Sequence, residues 1–265
     1  MDLSLIHRAH LGNAGPRVVM VHGGGQGSVV GGEKNFHNQY HLAKEGWQLI
    51  VPDRPGHGHS PYQGWPDDAA KDGAWTAELL EEGAHLVGHS FGGAVALDAA
   101  ARRPGAVRSL TLIEPAMHKL AIDDPHVRKF VFGLIKIALF SFSAETLITR
   151  AFRHIGIPPE LSGRTDKAER GRLAKSLKNL KLPSKATLHN QLEVVRQANI
   201  PLLVVTGGWS EAFDISSARA AKLGGGRHVI IPSPHHFPQI VSGEFSALLK
   251  DHMTTADSRA ATGTA

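Results

Sequence analysis

The stretch Gly88-His89-Ser90-Phe91-Gly92-Gly93 sets a serine between glycines two positions away on either side. It follows a short apolar run, His85–Val87, and precedes a helical stretch, Gly92–Arg103, closed by Pro104-Gly105. A serine held on so tight a turn has its hydroxyl thrust out above the preceding strand, where it can act as a nucleophile. Side chains at the flanking glycines would clash in such a turn. The backbone N–H of Phe91 is then aimed at the oxygen of the attacked carbon. The chain of 265 residues has no cysteine and 17 histidines. That composition excludes a thiol nucleophile, a disulfide framework and thiolate metal sites, while general bases are plentiful.

A second glycine-rich segment, His22-Gly23-Gly24-Gly25-Gln26-Gly27, follows the apolar run Val18–Val21. It lacks the Gly-Lys-Ser/Thr ending of a phosphate-binding loop and the G-x-G-x-x-G spacing of a dinucleotide site. It reads better as a loop that offers a backbone N–H, that of Gly24, to an oxyanion, with His22 structural. The pair His57 and His59 lies in Asp53-Arg54-Pro55-Gly56-His57-Gly58-His59-Ser60. No Asp-His follows it, and no metal site is expected.

Several short apolar runs must position these groups: Val18–Val21, Trp47–Val51, His85–Val87, Val107–Ile113, Pro201–Val205 and His228–Ile231. Runs of this length and composition suit strands buried on both faces of a parallel sheet. Helical stretches such as Asp67–Glu82 alternate with them, which predicts an α/β, doubly wound, mostly parallel sheet. The alternation breaks between Ile113 and Pro201. There Val127, Phe130, Val131, Leu134, Ile135 and Ala138 form one helical stripe and Leu147, Ile148, Ala151, Phe152 and Ile155 another; further helices are expected at 166–180 and 186–198. The reading is a core of residues 1–114 and 200–253, a helical cap of residues 115–199, and a disordered tail from Thr254.

Charge is uneven. Residues 115–199 hold 15 Lys/Arg against 7 Asp/Glu, whereas the remainder holds 14 against 17. A solvated helix face is the simplest reading, with attraction of an anionic substrate or surface as the functional one. No nucleic-acid motif accompanies the basic stretch. The most apolar run, Val131–Phe140, is interrupted by Lys136 and is about half a membrane span. The N-terminal MDLSLIHRAHLGNAG has no long apolar core after a basic start, so no leader is expected. The expectation is a cytoplasmic protein with a small-molecule substrate and neither nucleic acid nor membrane as partner.

The segments HGGGQG, DRPGHGHS, GHSFGG and HHFPQ, in that order and spacing, resemble the α/β-hydrolase family. The likeness covers residues 16–114 and 200–250, and the helical insertion sits where that family carries its cap. The resemblance implies a Ser-acid-His arrangement with Ser90 as nucleophile and His236, before Phe237-Pro238, as base; His235 is then a neighbour. The family's usual acid position, after the penultimate strand, is Ser210 here, which cannot stabilise an imidazolium and looks like a helix N-cap. Glu114, before Pro115, is the preferred replacement, because some similar proteins place their acid there. Asp214 is the alternative and Glu211 a third candidate.

Together these readings describe a cofactor-independent hydrolase of carboxylic esters or lactones. Gly24 and Phe91 form the oxyanion hole, and Gly25, His89, Phe130, Leu134, Phe152 and Trp209 are candidate substrate contacts. A carbon–carbon bond hydrolase or lyase using the same Ser-His pair is the second reading, and a non-catalytic ligand-binding protein the third.

Overall fold

The computed structural model describes residues 3–24, 35–62, 64, 67–161 and 167–263. Seven strands form one sheet in the order β1-β3-β2-β4-β5-β6-β7. They are β1 (Arg8–Leu11), β2 (Arg17–Val21), β3 (Gln48–Pro52), β4 (Ala84–His89), β5 (Val107–Ile113), β6 (Leu202–Thr206) and β7 (Arg227–Ile230). All neighbours pair in parallel except β1, which runs antiparallel to β3 at the edge. Successive strand residues point to opposite faces, and the two faces are buried separately. Val19, Val21, Leu86, Leu112 and Val204 join one apolar cluster; Val18, Met20, Val87, Ile113 and Val205 join the other. Six of the strands match the apolar runs of the sequence. Edge strand β1 does not, because an Arg-Ala-His-Leu segment offers only two apolar residues to the alternation.

Helices α1 (Ala69–Glu78) and α2 (Phe91–Arg102) cover the first face. Between β5 and β6 lie α3 (Pro125–Leu139), α4 (Ala144–Ile155), α5 (Lys167–Asn179) and α6 (Lys185–Gln197), with no strand among the described residues there. Their starts follow local chemistry. Asp124, Ser143 and Ser184 accept hydrogen bonds from the first free N–H groups of α3, α4 and α6. The last of the four differs from the sequence reading of residues 115–199 as one unit. Leu188, Leu192 and Val195 of α6 pack in the same cluster as α2, and Gln191 donates to Asp98 at 2.7 Å.

After β6 come α7 (Glu211–Leu223), α8 (Pro238–Val241) and α9 (Glu244–Ala261). The expectation of a disordered tail from Thr254 is corrected: α9 runs through to Ala261. Phe245, Leu249, Met253 and Ala256 fall on one buried stripe. Asp257 pairs with His85 and with Arg108 at 3.3 and 2.8 Å. Only Ala256 of the stripe lies beyond Thr254, so the tail taken alone shows no pattern. Ser210 does stand at the N-cap of α7, but its hydroxyl makes no capping bond.

Seven histidines are buried among the described residues: His22, His57, His85, His89, His118, His236 and His252. Burial disfavours the imidazolium and lowers the pKa of every one of them, to about 4 at His85 and His252 and about 3 at His118 and His236. Below the ordinary imidazole value of about 6.5 the unfolded chain binds protons that the folded chain refuses, so stability falls as pH falls. Glu114, Asp72 and Asp98, pushed up by burial, have the opposite sign but are three groups against seven. Thermal melts from pH 7.5 to 5 should therefore show Tm decreasing steadily below pH 6.5, before carboxylates protonate. A flat Tm down to pH 5 would contradict this reading.

Candidate active site

The strand register brings the candidate groups level with one another. Val21 pairs with Gly88, His89 with Ile113, and Ile113 with Val205. The residues that follow, Gly23-Gly24, Ser90, Glu114 and Gly207, therefore emerge together at the carboxyl ends of β2, β4, β5 and β6. The chain leaves β2 toward one side of the sheet and β4 toward the other, and the crevice at such a divergence is where open α/β sheets bind ligands.

Ser90 has φ 56° and ψ −119°, a conformation costly for any residue but glycine. It is held there from three sides. Its N–H donates to Ile113 O at 2.8 Å, and its carbonyl accepts from Gly93 N and Ala116 N at 2.9 and 3.0 Å. The flanking glycines are a steric necessity. A Cβ on Gly88 would lie 2.3 Å from Gly92 O, and one on Gly92 would lie 2.3 Å from Val21 O.

Glu114 is fully buried and spends both carboxylate oxygens. Oε1 accepts from Gly207 N at 2.5 Å, and Oε2 faces His236 Nδ1 at 3.2 Å. Burial pushes Glu114 up to about 8, against the pull of the Gly207 N–H and the Trp209 indole. The same burial pushes His236 down to about 3. His236 Nε2 has no hydrogen-bond partner among the described residues. Asp214 makes no bond to His236: its Oδ1 is buried without a partner. Glu211 pairs with His126 instead.

His236 is also fixed through its backbone. Its N–H donates to Gly156 O at 3.0 Å, and its carbonyl accepts from His89 Nε2 at 2.8 Å. Because His89 Nε2 must carry its proton to make that bond, Nδ1 is left as acceptor, and Asn35 Nδ2 faces it at 3.3 Å. Gln239 Nε2 donates in turn to Asn35 Oδ1 at 3.1 Å. His89 is thus a strut behind the serine rather than a substrate contact, because its ring is buried against His236 and Phe237.

The loop after β2 is clamped by Arg54, which is completely buried. Nη1 binds Asp67 Oδ1 at 2.9 Å and Asp72 Oδ2 at 2.6 Å. Nη2 donates to Gly23 O at 2.9 Å and Nε to His22 O at 3.2 Å. His22 Nε2 accepts from Arg54 N at 2.9 Å, as befits a structural histidine. Burial resists charge on Asp67, yet the guanidinium holds it well below the usual carboxylate range; at Asp72 burial wins and the pKa rises. Gly24 rests against Phe91, where an added Cβ would come within 3.2 Å of the Phe91 Cβ. His57 joins the Arg54 cluster. His59, on the exposed side, sits with His7 and Asp53, their ligand-capable atoms lying within 4.8 Å of one another.

A cavity of about 350 Å³ opens at this point, lined by Ser90, Phe91 and Gly24 and by the insertion residues Phe130, Leu134 and Phe152. Leu147, Ile155, Leu177 and Phe213 complete much of the wall. Among the described residues Ser90 and His118 are its only polar side chains. Trp209 is not part of this wall; it packs behind Phe213 and His236, held off by their rings. Gly25 lies outside the described residues. His118 went unnoticed in the sequence, where a lone histidine after Met117 carries no motif. Ser216 Oγ donates to Ala212 O at 2.6 Å, so His118 Nδ1, 3.1 Å from that oxygen, must be the donor. Nε2 of the neutral ring is then a hydrogen-bond acceptor in an otherwise apolar wall.

A family model for the alpha/beta hydrolase fold matches residues 16–242. The chain belongs to the α/β-hydrolase fold family. It is 37% identical over 151 residues to the lipase LipV of Mycobacterium tuberculosis, covering 55% of this chain and 54% of that protein. It is 36% identical over 139 residues to a 2-hydroxy-6-oxo-6-phenylhexa-2,4-dienoate hydrolase of Burkholderia cepacia, covering 49% and 48%. The matches thus span about half the length of each relative. Among solved structures, a hydrolase from Pseudomonas aeruginosa has a similar fold at a TM-score of 0.68 and 20% identity, with 94% of each chain covered. The enol-lactonase of Burkholderia xenovorans gives 0.62 at 16% identity, covering 94% of this chain and 96% of that one.

Replacing Arg54 tests the clamp. Arg54→Met strands two buried carboxylates and should cost about 3–5 kcal/mol in a denaturant melt. Arg54→Lys should recover only part of that, since an ammonium cannot span two carboxylates and two carbonyls. Full stability in Arg54→Met would show the cluster to be dispensable.

Proposed function

We propose that the protein is a serine hydrolase acting on carboxylic esters or lactones with an apolar acyl part. The observation that carries this reading is a serine on a strained turn, opening into a cavity with no charged side chain among the described residues. Ser90 Oγ attacks the carbonyl carbon while His236 Nε2 takes its proton, and the same nitrogen returns the proton to the leaving alcohol. Glu114 holds the imidazole with Nδ1 protonated and offsets the charge that forms on it. The N–H groups of Gly24 and Phe91 stabilise the oxyanion, each worth on the order of 10²–10³ in rate. Water then releases the acyl group from Ser90. Residues 115–199 serve as the cap that shapes the acyl pocket, through Phe130, Leu134 and Phe152.

The cavity also weighs against the carbon–carbon hydrolase reading. An anionic diketone needs a cation near the reacting carbon, and among the described residues no Lys or Arg of the insertion lines the cavity. At roughly 30 Å³ per water-sized group, 350 Å³ holds about twelve of them. Across p-nitrophenyl esters, kcat/KM should rise from acetate to about the octanoate or decanoate. Aromatic lactones and vinylogous diketones complete the panel. Ser90→Ala should abolish turnover throughout, and equal activity in that variant would sink the reading. Glu114→Gln should cost about 10⁴-fold, far more than Asp214→Asn; the reverse order would move the acid to Asp214.

The pH dependence follows from the buried pair. Its competent form, neutral His236 beside ionised Glu114, is the singly negative one, and burial opposes that charge. A proton must leave the pair before it can accept one from Ser90. The kcat/KM profile on a neutral ester should therefore rise with pH through a midpoint above the ordinary imidazole 6.5, toward the value of about 8 at Glu114. A midpoint at or below 6.5 would mean that the pair is better solvated than its burial implies.

A further inference from the structure

Helix α3 is apolar on two faces. Phe130, Leu134 and Ile137 look into the cavity, while Phe132, Ile135 and Leu139 form a second stripe turned to solvent. That stripe continues into the turn before α4. Exposure reaches 53% at Phe132, 46% at Ile135, 67% at Leu139, 62% at Phe140 and 94% at Phe142. A soluble chain seldom leaves so many large apolar side chains together in water, and such a patch marks a surface that something covers.

The charges around it say what. Arg128, Lys129, Lys136, Arg150 and Arg153 are exposed on α3 and α4 and make no ion pair among the described residues. The only acid in these helices, Glu145, is already paired with Arg170. A second copy meeting this face about a two-fold axis would bring like charges together. An anionic surface with an apolar interior satisfies both features, since Phe and Leu enter its acyl layer while Lys and Arg stay at its headgroups. We infer that the tip formed by the end of α3 and the turn to α4 is a docking site for an anionic lipid surface.

The sequence-based expectation of no membrane partner rested on span length, which bears on crossing a bilayer and not on lying at its face. No described helix is long and apolar enough to cross a membrane. Ile135 belongs both to the exposed stripe and to the cavity wall, so the cavity reaches the surface beside the patch. If the esterase reading holds, the tip delivers a lipid-borne ester directly to Ser90.

The test is co-sedimentation of the full chain with vesicles of phosphatidylcholine alone or mixed equally with phosphatidylglycerol. The protein should sediment with the mixed vesicles and be released by about 0.5 M salt, which screens charges within a few ångströms. The triple variant Phe132→Ser/Leu139→Ser/Phe142→Ser should bind about tenfold or more weakly while hydrolysing a soluble short-chain ester at the wild-type rate, which checks its fold. Ser90→Ala should bind vesicles as wild type does, so loss of esterase activity and loss of docking are read separately. Failure of the wild type to sediment, or unchanged sedimentation of the triple variant, overturns the inference. So does concentration-dependent self-association that the triple variant abolishes while vesicles go unbound, which would assign the patch to a second copy.

Discussion

A single steric constraint organises this molecule: the chain must pass from β4 into α2 through one residue, Ser90, with its backbone in a region that only glycine visits freely. The strain is tolerated because three backbone hydrogen bonds from β5, α2 and the segment after Glu114 hold the residue on all sides. Those same bonds fix where β5 ends, and Glu114 there adopts a positive φ of its own, 46°. The turn thus fixes its neighbours as well as itself. Gly88 and Gly92 are the cost in sequence, since any side chain would strike backbone 2.3 Å away.

Around that turn the protein uses histidine as a neutral, two-ended connector. His22 joins Arg54 to the loop after β2, His89 joins Asn35 to the backbone of His236, His118 joins Ser216 to the cavity, and His85 joins Ser109 to Asp257. Each ring presents a donor and an acceptor at a fixed separation, so it can bridge two groups without bringing a charge of its own inside. This accounts for four of the 17 histidines.

The sheet was legible because its strands are buried on both faces and read as unbroken apolar runs. The Ser90 turn and the loop after β2 were legible because glycine spacing carries a steric message. Glu114 could be favoured only through resemblance; its pairing with His236 depends on two residues 122 positions apart, one at the end of β5 and one after β7, meeting across the end of β6. The clamp of Arg54 on Asp67 and Asp72 left no pattern at all, because each partner comes from a different loop or helix. His89 and Trp209 illustrate the opposite error: both were candidate substrate contacts, whereas the His89 ring is buried against His236 and Phe237 and Trp209 packs behind Phe213.

The bond from His236 N–H to Gly156 O has a consequence for how such a protein can change over evolution or by design. Gly156 closes α4 in a left-handed turn, so the inserted helices are tied to the loop that carries His236. Exchanging α3 and α4 for other helices would leave the Ser90 turn and Glu114 in place, provided Ala116 still donates to the Ser90 carbonyl. It would also free the imidazole's own backbone, unless the newcomer returned a carbonyl to the same point in space. The wall of the cavity and the placing of His236 are therefore not independent modules in this chain, and graftable variants are those whose fourth helix ends with the same turn.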